Sequence, residues 1–313
     1  MYAATTIRNW FIASRPWSCS VSAMPVALGA ALAWHHTGQL HLGLFIITLI
    51  AGVCLHLGTN YINTYGDFIH GVDTLESART CPELVTGKFS ARGMKIMGLA
   101  TMGIAVLLGL ILTWLAGWPV LIYGLIGLAG GYCYTAGIAP YKYKGLGPSL
   151  VFLLMGPLMV APAYYIQTGL TELTPFMASL PTAFLVTGVI QSNDLRDIKN
   201  DRLSGIKTMA GFLGRNRALF VYRAMYAGAH LSIIILVLSG IAPWPALLPL
   251  LLLPETIRVL RSFDLKKNPS CLDGLEGDRL EGWSAGFHFR FNALYIAGLV
   301  LATAWRFWFA AGV

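Results

Sequence analysis

The chain has 313 residues, 56% of them hydrophobic and 12% charged, and its mean hydropathy is +0.64. Those values exclude an ordinary soluble domain and give an all-α polytopic membrane protein, with room for about nine spans of ~20 residues each. The net charge of +8 does not call for nucleic acid, because basic loops held at the cytoplasmic face account for it.

In chain order, Arg8 and Arg15 precede a proline and then a full-length apolar run. A short h-region with a cleavage site is missing, so no signal peptide is expected. Nine spans are predicted at roughly 18–36, 42–64, 94–114, 118–136, 147–167, 175–195, 218–239, 243–261 and 286–308. The apolar runs are broken at His35–His41, Trp118-Pro119, Gly169–Thr174 and Pro243-Trp244-Pro245. Of the 22 Lys and Arg, only Arg306 falls on the side of the short loops. The positive-inside tendency therefore predicts a cytoplasmic N-terminus and an outer C-terminus, in the inner (cytoplasmic) membrane. Of the 14 acids only Glu172 lies on the outer side. Acids do not set topology, so their clustering asks for a site. The five cysteines (19, 54, 81, 133 and 271) share no metal spacing and are expected to be packing residues or reduced thiols.

Two polar stretches end apolar helices on that basic side. The first is NYINTYGDFIHGVD, Asn60 to Asp73, and the second is QSNDLRDIKND, Gln191 to Asp201. Both contain Asn-x-x-x-Asp, at Asn63/Asp67 and Asn193/Asp197, offset by 130 positions in each case. Asn60, Asn63 and Asp67 fall at i, i+3 and i+7, as do Asp194, Asp197 and Asp201, which puts each trio on one helical stripe. The offset predicts a single domain over 1–313, with parallel repeats at about 15–136 and 147–261 and a ninth helix at about 286–308. Carboxylates beside Asn are hard oxygen ligands suited to Mg²⁺, and Mg²⁺ binds through few carboxylates plus substrate phosphates. Arg79, Lys88 and Arg92 follow the first motif, and Arg196, Lys199, Arg202 and Lys207 the second. Acids, metal and cations together suit a diphosphate. For any one cation, ordinary loop charge is the plain alternative. Tyr61, Tyr65, Phe68, Tyr132, Tyr134, Tyr141 and Tyr143 offer π faces for an allylic cation, or are simply interfacial aromatics. His56, one turn before Asn60, is placed to orient an acceptor carboxylate, relay a proton, or bond a neighbouring helix. Lys142 is a diphosphate contact or a loop charge, and Glu255 is expected to pair with Arg258 at i+3.

Longer matches sharpen this reading. Ser14-Arg15-Pro16-Trp17, Asn63 to Asp73, YTAGIAPYKYKGLG (134–147), GP…YYIQTG (156–169), NDLRDIKNDRLSGIKT (193–208) and Leu213-Gly214-Arg215 occur in this order along most of the chain. On these motifs the chain resembles the UbiA superfamily of intramembrane prenyltransferases. Within it, the closest resemblance is to the 1,4-dihydroxy-2-naphthoate polyprenyltransferases of menaquinone biosynthesis. The resemblance implies nine transmembrane helices around a cavity open to the cytoplasmic face, Mg²⁺ as cofactor, and a polyprenyl diphosphate as donor. It assigns Asn63, Asp67 and Asp73 to the first metal–diphosphate site and Asp197 and Asp201 to the second, with Asp194 beside them. The expected substrate-binding set is Arg15, His56, Asn60, Arg79, Lys88, Tyr134, Lys142, Asn193 and Lys207. Thr64 stands where the family carries an acid and Asp194 where this branch has Asn, an exchange that would conserve the site's charge. Pro148 and Glu83 depart from the pattern as well.

The expected reaction is transfer of the polyprenyl group to 1,4-dihydroxy-2-naphthoate, with decarboxylation, giving demethylmenaquinol and diphosphate. The near alternatives are 1,4-dihydroxy-6-naphthoate, another aromatic acceptor or an isoprenoid glycerol phosphate. A cation-coupled secondary transporter is the alternative of a different class. It would place its polar residues near the midplane, on broken helices related by inverted repeats.

Overall fold

The computed structural model describes residues 2–75, 78 and 81–310. Helices account for its order: α1 (Tyr2–Ala13), α2 (Ser20–Thr37), α3 (Leu42–Ile69), α4 (Pro82–Val85), α5 (Ala91–Ala116), α6 (Pro119–Tyr132) and α7 (Gly147–Met155). They continue with α8 (Pro157–Thr168), α9 (Thr174–Ala178), α10 (Leu180–Leu203), α11 (Met209–Leu213), α12 (Arg215–Leu238), α13 (Leu253–Ser262) and α14 (Gly274–Ala310). Among the described residues there is no strand beyond an isolated parallel bridge between Lys144 and Lys207.

Six of these stretches are long and apolar enough to cross a bilayer: Pro16–Thr37, Leu42–Ile69, Ala91–Ala116, Gly147–Thr168, Arg215–Leu238 and Gly274–Trp308. The other three predicted spans are helical but differ in kind, for local reasons. Pro119–Tyr132 is apolar but short. The span at 175–195 begins as α9, and α10 then runs on to Leu203, so the second motif lies inside a helix that carries its charges. The span at 243–261 starts as a 3₁₀ segment, Trp244–Leu252, containing Pro249, and becomes α-helical only at Leu253. Proline removes the amide that would close an α-turn there. The predicted helix 9 gains about three turns at its start, because α14 begins at Gly274.

The outward faces are those of a bilayer protein. Ile46, Ile50, Ile104, Leu107, Leu110, Trp114 and Leu125 are all exposed on α3, α5 and α6, an apolar belt far larger than a soluble monomer shows. The molecule is a multi-pass membrane protein. Its largest core joins α2, α8, α10, α12 and α14 through Leu28, Tyr164, Leu185, Tyr222, Tyr226, Phe287 and Tyr295. Helix α14 packs against both α2 and α10, so the ends of the chain close on each other. Between α3 and α5 the helices approach through Gly58: a Cβ there would lie 2.6 Å from Met102 Cγ and 3.0 Å from the Gly98 carbonyl. In a bilayer such backbone proximity supplies the packing that hydrophobicity cannot.

All five cysteines are unpaired. Glu255 pairs with Arg290 of α14 (2.7 Å) and accepts from Trp283 Nε1 (2.8 Å), which corrects the expected i+3 pairing with Arg258. A bidentate partner on a neighbouring helix outweighs a same-helix one.

Candidate active site

Helix α3 carries the first motif to one end of the bundle, where Asn60, Asn63 and Asp67 are all buried. Gly66 lets this end lie flat on the segment after α6. A Cβ at Gly66 would meet the Thr135 carbonyl at 2.5 Å, and the Thr135 hydroxyl donates to Ile62 O (3.3 Å). The same segment is pinned by Tyr141 N to Cys133 O (3.1 Å) and Lys142 N to Tyr134 O (3.0 Å). It thereby delivers Lys142 and Tyr143 to Asp67. Lys142 Nζ donates to both Asp67 oxygens (2.8 and 2.7 Å), Tyr143 OH donates to Oδ1 (2.8 Å), and Asn63 Nδ2 donates to Oδ2 (2.9 Å).

The two motifs meet through their loops. Lys207 N donates to Tyr143 O (3.3 Å), and Ser204 Oγ donates to Gly71 O (3.2 Å). Asp194 and Asp201, 6% and 4% exposed, act electrostatically on Lys142 and on each other, and Asp67 and Asp197 lie within range. Asp201 also accepts from Thr208 Oγ1 (3.0 Å). Asp73 completes the set: burial and then the Asp67 charge push its carboxyl up to about 6, against the pull of Arg15 and Lys142. Burial disfavours the Lys142 ammonium, yet the Asp67 carboxylate beside it leaves its pKa above the ordinary value.

Arg15 reaches this cluster from the other side. It is the one non-glycine among the described residues with positive φ (55°). Such a conformation costs about 1–3 kcal/mol and persists where the surroundings enforce it. Here it turns the chain from α1 into Pro16, and Arg15 acts on Asp73, Lys142 and Tyr134.

Behind the carboxylates an apolar cavity of about 290 Å³ runs between α3, α5, α6 and α8. Its polar end holds His56, Asn60, Tyr134 and Tyr141, and Thr48, Leu112 and Val120 lie at the other end. Thr48 to Asn60 is ~18 Å of helix at 1.5 Å per residue.

The structure thus brings together Arg15, Asp67, Asp73, Tyr134, Lys142, Asp194 and Asp201. Asn63 joins them through Asp67, and Asp197 and Asn193 have other partners. Asp197 is half-buried and held by Arg196 (2.6 and 2.8 Å), which also bonds Glu281 of α14. Asn193 lies against Glu281, and with its amide nitrogen turned to that carboxylate it donates to both oxygens (3.0 Å). Lys88 and Lys207 are exposed, and among the described residues no ion pair ties them to the carboxylates. Arg79 lies outside the described residues. Thr64 is fully buried and donates to Asn60 O (3.1 Å), so it does not face lipid. Ser18 and Thr208 bond His56 and Asp201, yet carry no signal in the sequence, because a lone hydroxyl has no diagnostic spacing.

Among the described residues no three carboxylates converge into a ready-made metal shell. The donor set still fits Mg²⁺. The carboxylates are hard oxygen ligands, Asp73, Asp194 and Asp201 feel one or more of the others as repulsion, and they outnumber Lys142 and Arg15.

The model of the UbiA prenyltransferase family matches residues 22–273. The chain belongs to the UbiA prenyltransferase family. It is therefore an enzyme that transfers prenyl groups, which removes the transporter alternative. Among its relatives is the 1,4-dihydroxy-2-naphthoate octaprenyltransferase of Bacillus subtilis, 32% identical over 257 residues and 82% of each chain. The UbiA prenyltransferase domain-containing protein 1 of Homo sapiens is 30% identical over 300 residues, 95% of this chain and 84% of that one. A UbiA homologue from Archaeoglobus fulgidus bound to GPP and Mg²⁺ shares the fold, with a TM-score of 0.64 at 18% identity, covering 95% of this chain and 99% of the other.

Proposed function

We propose that this UbiA enzyme transfers a polyprenyl group from its diphosphate to 1,4-dihydroxy-2-naphthoate, with loss of carbon dioxide, in the synthesis of demethylmenaquinol. The observation that carries the reading is Asp67 bound to Lys142, with buried Asp194 and Asp201 in electrostatic reach of that lysine, beside Tyr134 of the apolar cavity. A diphosphate belongs at these charges and an isoprenoid tail in the cavity. The Bacillus subtilis relative supports the naphthoate acceptor. The binding of GPP and Mg²⁺ by the Archaeoglobus fulgidus homologue supports the donor and the metal.

On this reading Asn63, Asp67, Asp73, Asp194, Asp197 and Asp201 hold Mg²⁺, which when bound supplies positive charge to the departing diphosphate. Lys142 and Arg15 add fixed positive charge on the same oxygens. Tyr134, which lines the cavity and acts electrostatically on the carboxylates, presents a π face to the allylic carbon as its bond to oxygen weakens. The apolar cavity wall keeps water from that carbon. The domain spans 1–313 as two parallel repeats plus α14, nine spans in all, in the inner membrane. Its carboxylate end is cytoplasmic, its N-terminus inside and its C-terminus outside, since the basic residues gather at that end.

A second reading keeps the chemistry and changes the acceptor to an isoprenoid glycerol phosphate. It rests on the fold shared with a digeranylgeranylglyceryl phosphate synthase (TM-score 0.64, 14% identity). Mass spectrometry of products decides between them. Purified protein, Mg²⁺ and octaprenyl diphosphate are offered a panel of both naphthoate isomers, other hydroxyaromatic acids and geranylgeranylglyceryl phosphate. Prenylated, decarboxylated 1,4-dihydroxy-2-naphthoate is expected. Product from another acceptor alone would overturn the assignment.

A further inference from the structure

His56 lines the polar end of the cavity, and its Nε2 lies 2.8 Å from the Ser18 hydroxyl. That hydroxyl has two other partners, the Arg15 carbonyl at 2.7 Å and Asn60 Nδ2 at 3.1 Å. The carbonyl only accepts. The Asn60 nitrogen only donates, and its identity is set by the Ser14 carbonyl, which accepts from it at 2.9 Å. Serine has one proton to give. One arrangement satisfies all three contacts: Ser18 donates to Arg15 O and accepts from both Asn60 Nδ2 and His56 Nε2–H. His56 is thereby held as the Nε2–H tautomer, with the lone pair on Nδ1.

Other histidines use Nδ1 in several ways: His35 and His36 bond Thr303 and Tyr164, and buried His288 has no partner among the described residues. His70 Nδ1 bonds Gly66 O (2.8 Å) and His230 Nδ1 bonds Tyr226 O (2.8 Å), each four residues back. For His56 Nδ1 no such bond exists, nor any other hydrogen-bond partner among the described residues. The charged group acting on the ring is Arg15, and Tyr134 and Tyr141 share the cavity end.

We propose that His56 Nδ1 accepts the hydroxyl proton of the aromatic acceptor. The proposal rests on the reading of the acceptor as a hydroxyaromatic carboxylate. As the O–H bond breaks, its electron pair stays on oxygen, and the ring carbon beside it bonds to C1 of the prenyl group. The C1–O bond breaks with its pair leaving on diphosphate. The ring is then a ketone carrying prenyl and carboxylate on one carbon. Loss of carbon dioxide returns the C–C pair to the ring, and the imidazolium gives its proton back to the ring oxygen. His56 ends neutral, in the tautomer that Ser18 enforces.

The test uses full-length enzyme in detergent or nanodiscs. In His56→Gln the amide reaches the Nε2 position and keeps a donor for Ser18, but leaves nothing at Nδ1. Its kcat is expected to fall about 10²-fold or more, the scale of a lost general base, with KM for octaprenyl diphosphate within about twofold of wild type. An acceptor whose ring carries electron-withdrawing groups, so that its hydroxyl is already ionised, recovers most of the loss. Ser18→Ala releases the tautomer and gives a milder loss, rescued in the same way. It carries the test if His56→Gln does not fold, as judged by prenyl diphosphate binding. A variant kcat within about threefold of wild type would overturn the proposal, as would an equal loss with the ionised acceptor. Wild-type enzyme that prenylates no hydroxyaromatic acceptor would instead sink the reading on which it rests.

Discussion

The two Asn-x-x-x-Asp motifs are identical in spacing and different in circumstance. Asp67 of the first is 5% exposed and takes donors from Lys142, Tyr143 and Asn63. Asp197 of the second is held by its neighbour Arg196, which reaches on to α14, and Asn193 turns toward Glu281 as well. In the second motif, the deeply buried carboxylates are Asp194 and Asp201. Equal spacing therefore places equal stripes, but the helix each stripe meets decides which acid is deeply buried and which is also tied to α14 through Arg196.

The widest separation of the two motifs comes from charge removal. Asp67→Asn should lower turnover by about 10³-fold or more, while Asp197→Asn should lose about tenfold, because losing electrostatic stabilisation at the leaving group is the larger effect. Single-turnover assays on folded protein measure both, and equal losses would break the contrast. Metal removal comes next. EDTA should abolish transfer and Mg²⁺ or Mn²⁺ restore it, since a diphosphate leaving group needs its charge neutralised; full activity in metal-free buffer would leave Lys142 and Arg15 acting alone.

Lys142→Met should cost about 10²-fold in kcat/KM for the prenyl diphosphate and less in KM for the acceptor, if the ammonium serves the diphosphate. A smaller effect is expected from Asp73. Its folded pKa of about 6 lies above the ordinary aspartate value, so the proton favours the folded state. The resulting destabilisation is absent below about 3.9, grows through the interval and is complete above about 6. Metal-free wild type should therefore melt lower than Asp73→Asn at pH 7.5, and the gap should narrow at pH 5; thermal scans at both pH values check it. Smallest on activity is Arg196→Ala, which should lower the melting temperature by unpairing Glu281 and Asp197 while kcat stays within about threefold.

Much of the site was legible because helical periodicity is local. The i, i+3, i+7 steps placed Asn60, Asn63 and Asp67 on one stripe of α3, and the helix bears that out. The compensating exchange looked like a charge balance in sequence. In the structure Asp194 does lie in electrostatic reach of Lys142, while Thr64 is spent on its own helix. Lys88 and Lys207 could not be told from Lys142 by sequence, since all three are loop cations near a motif. The segment 133–146 folds back over α3 only because Gly66 admits it, and that contact selects Lys142.

By itself, the sequence determined the multi-pass helical class, the family and the two acidic stripes. Hydropathy, motif order and periodicity are properties of contiguous residues, and no tertiary contact is needed to read them. Tertiary structure alone decided the partner of each acid, the cavity wall and the contact of His56 with Ser18. The last of these joins groups distant in the chain, Ser18 in the turn before α2 and His56 on α3, which only tertiary packing brings together.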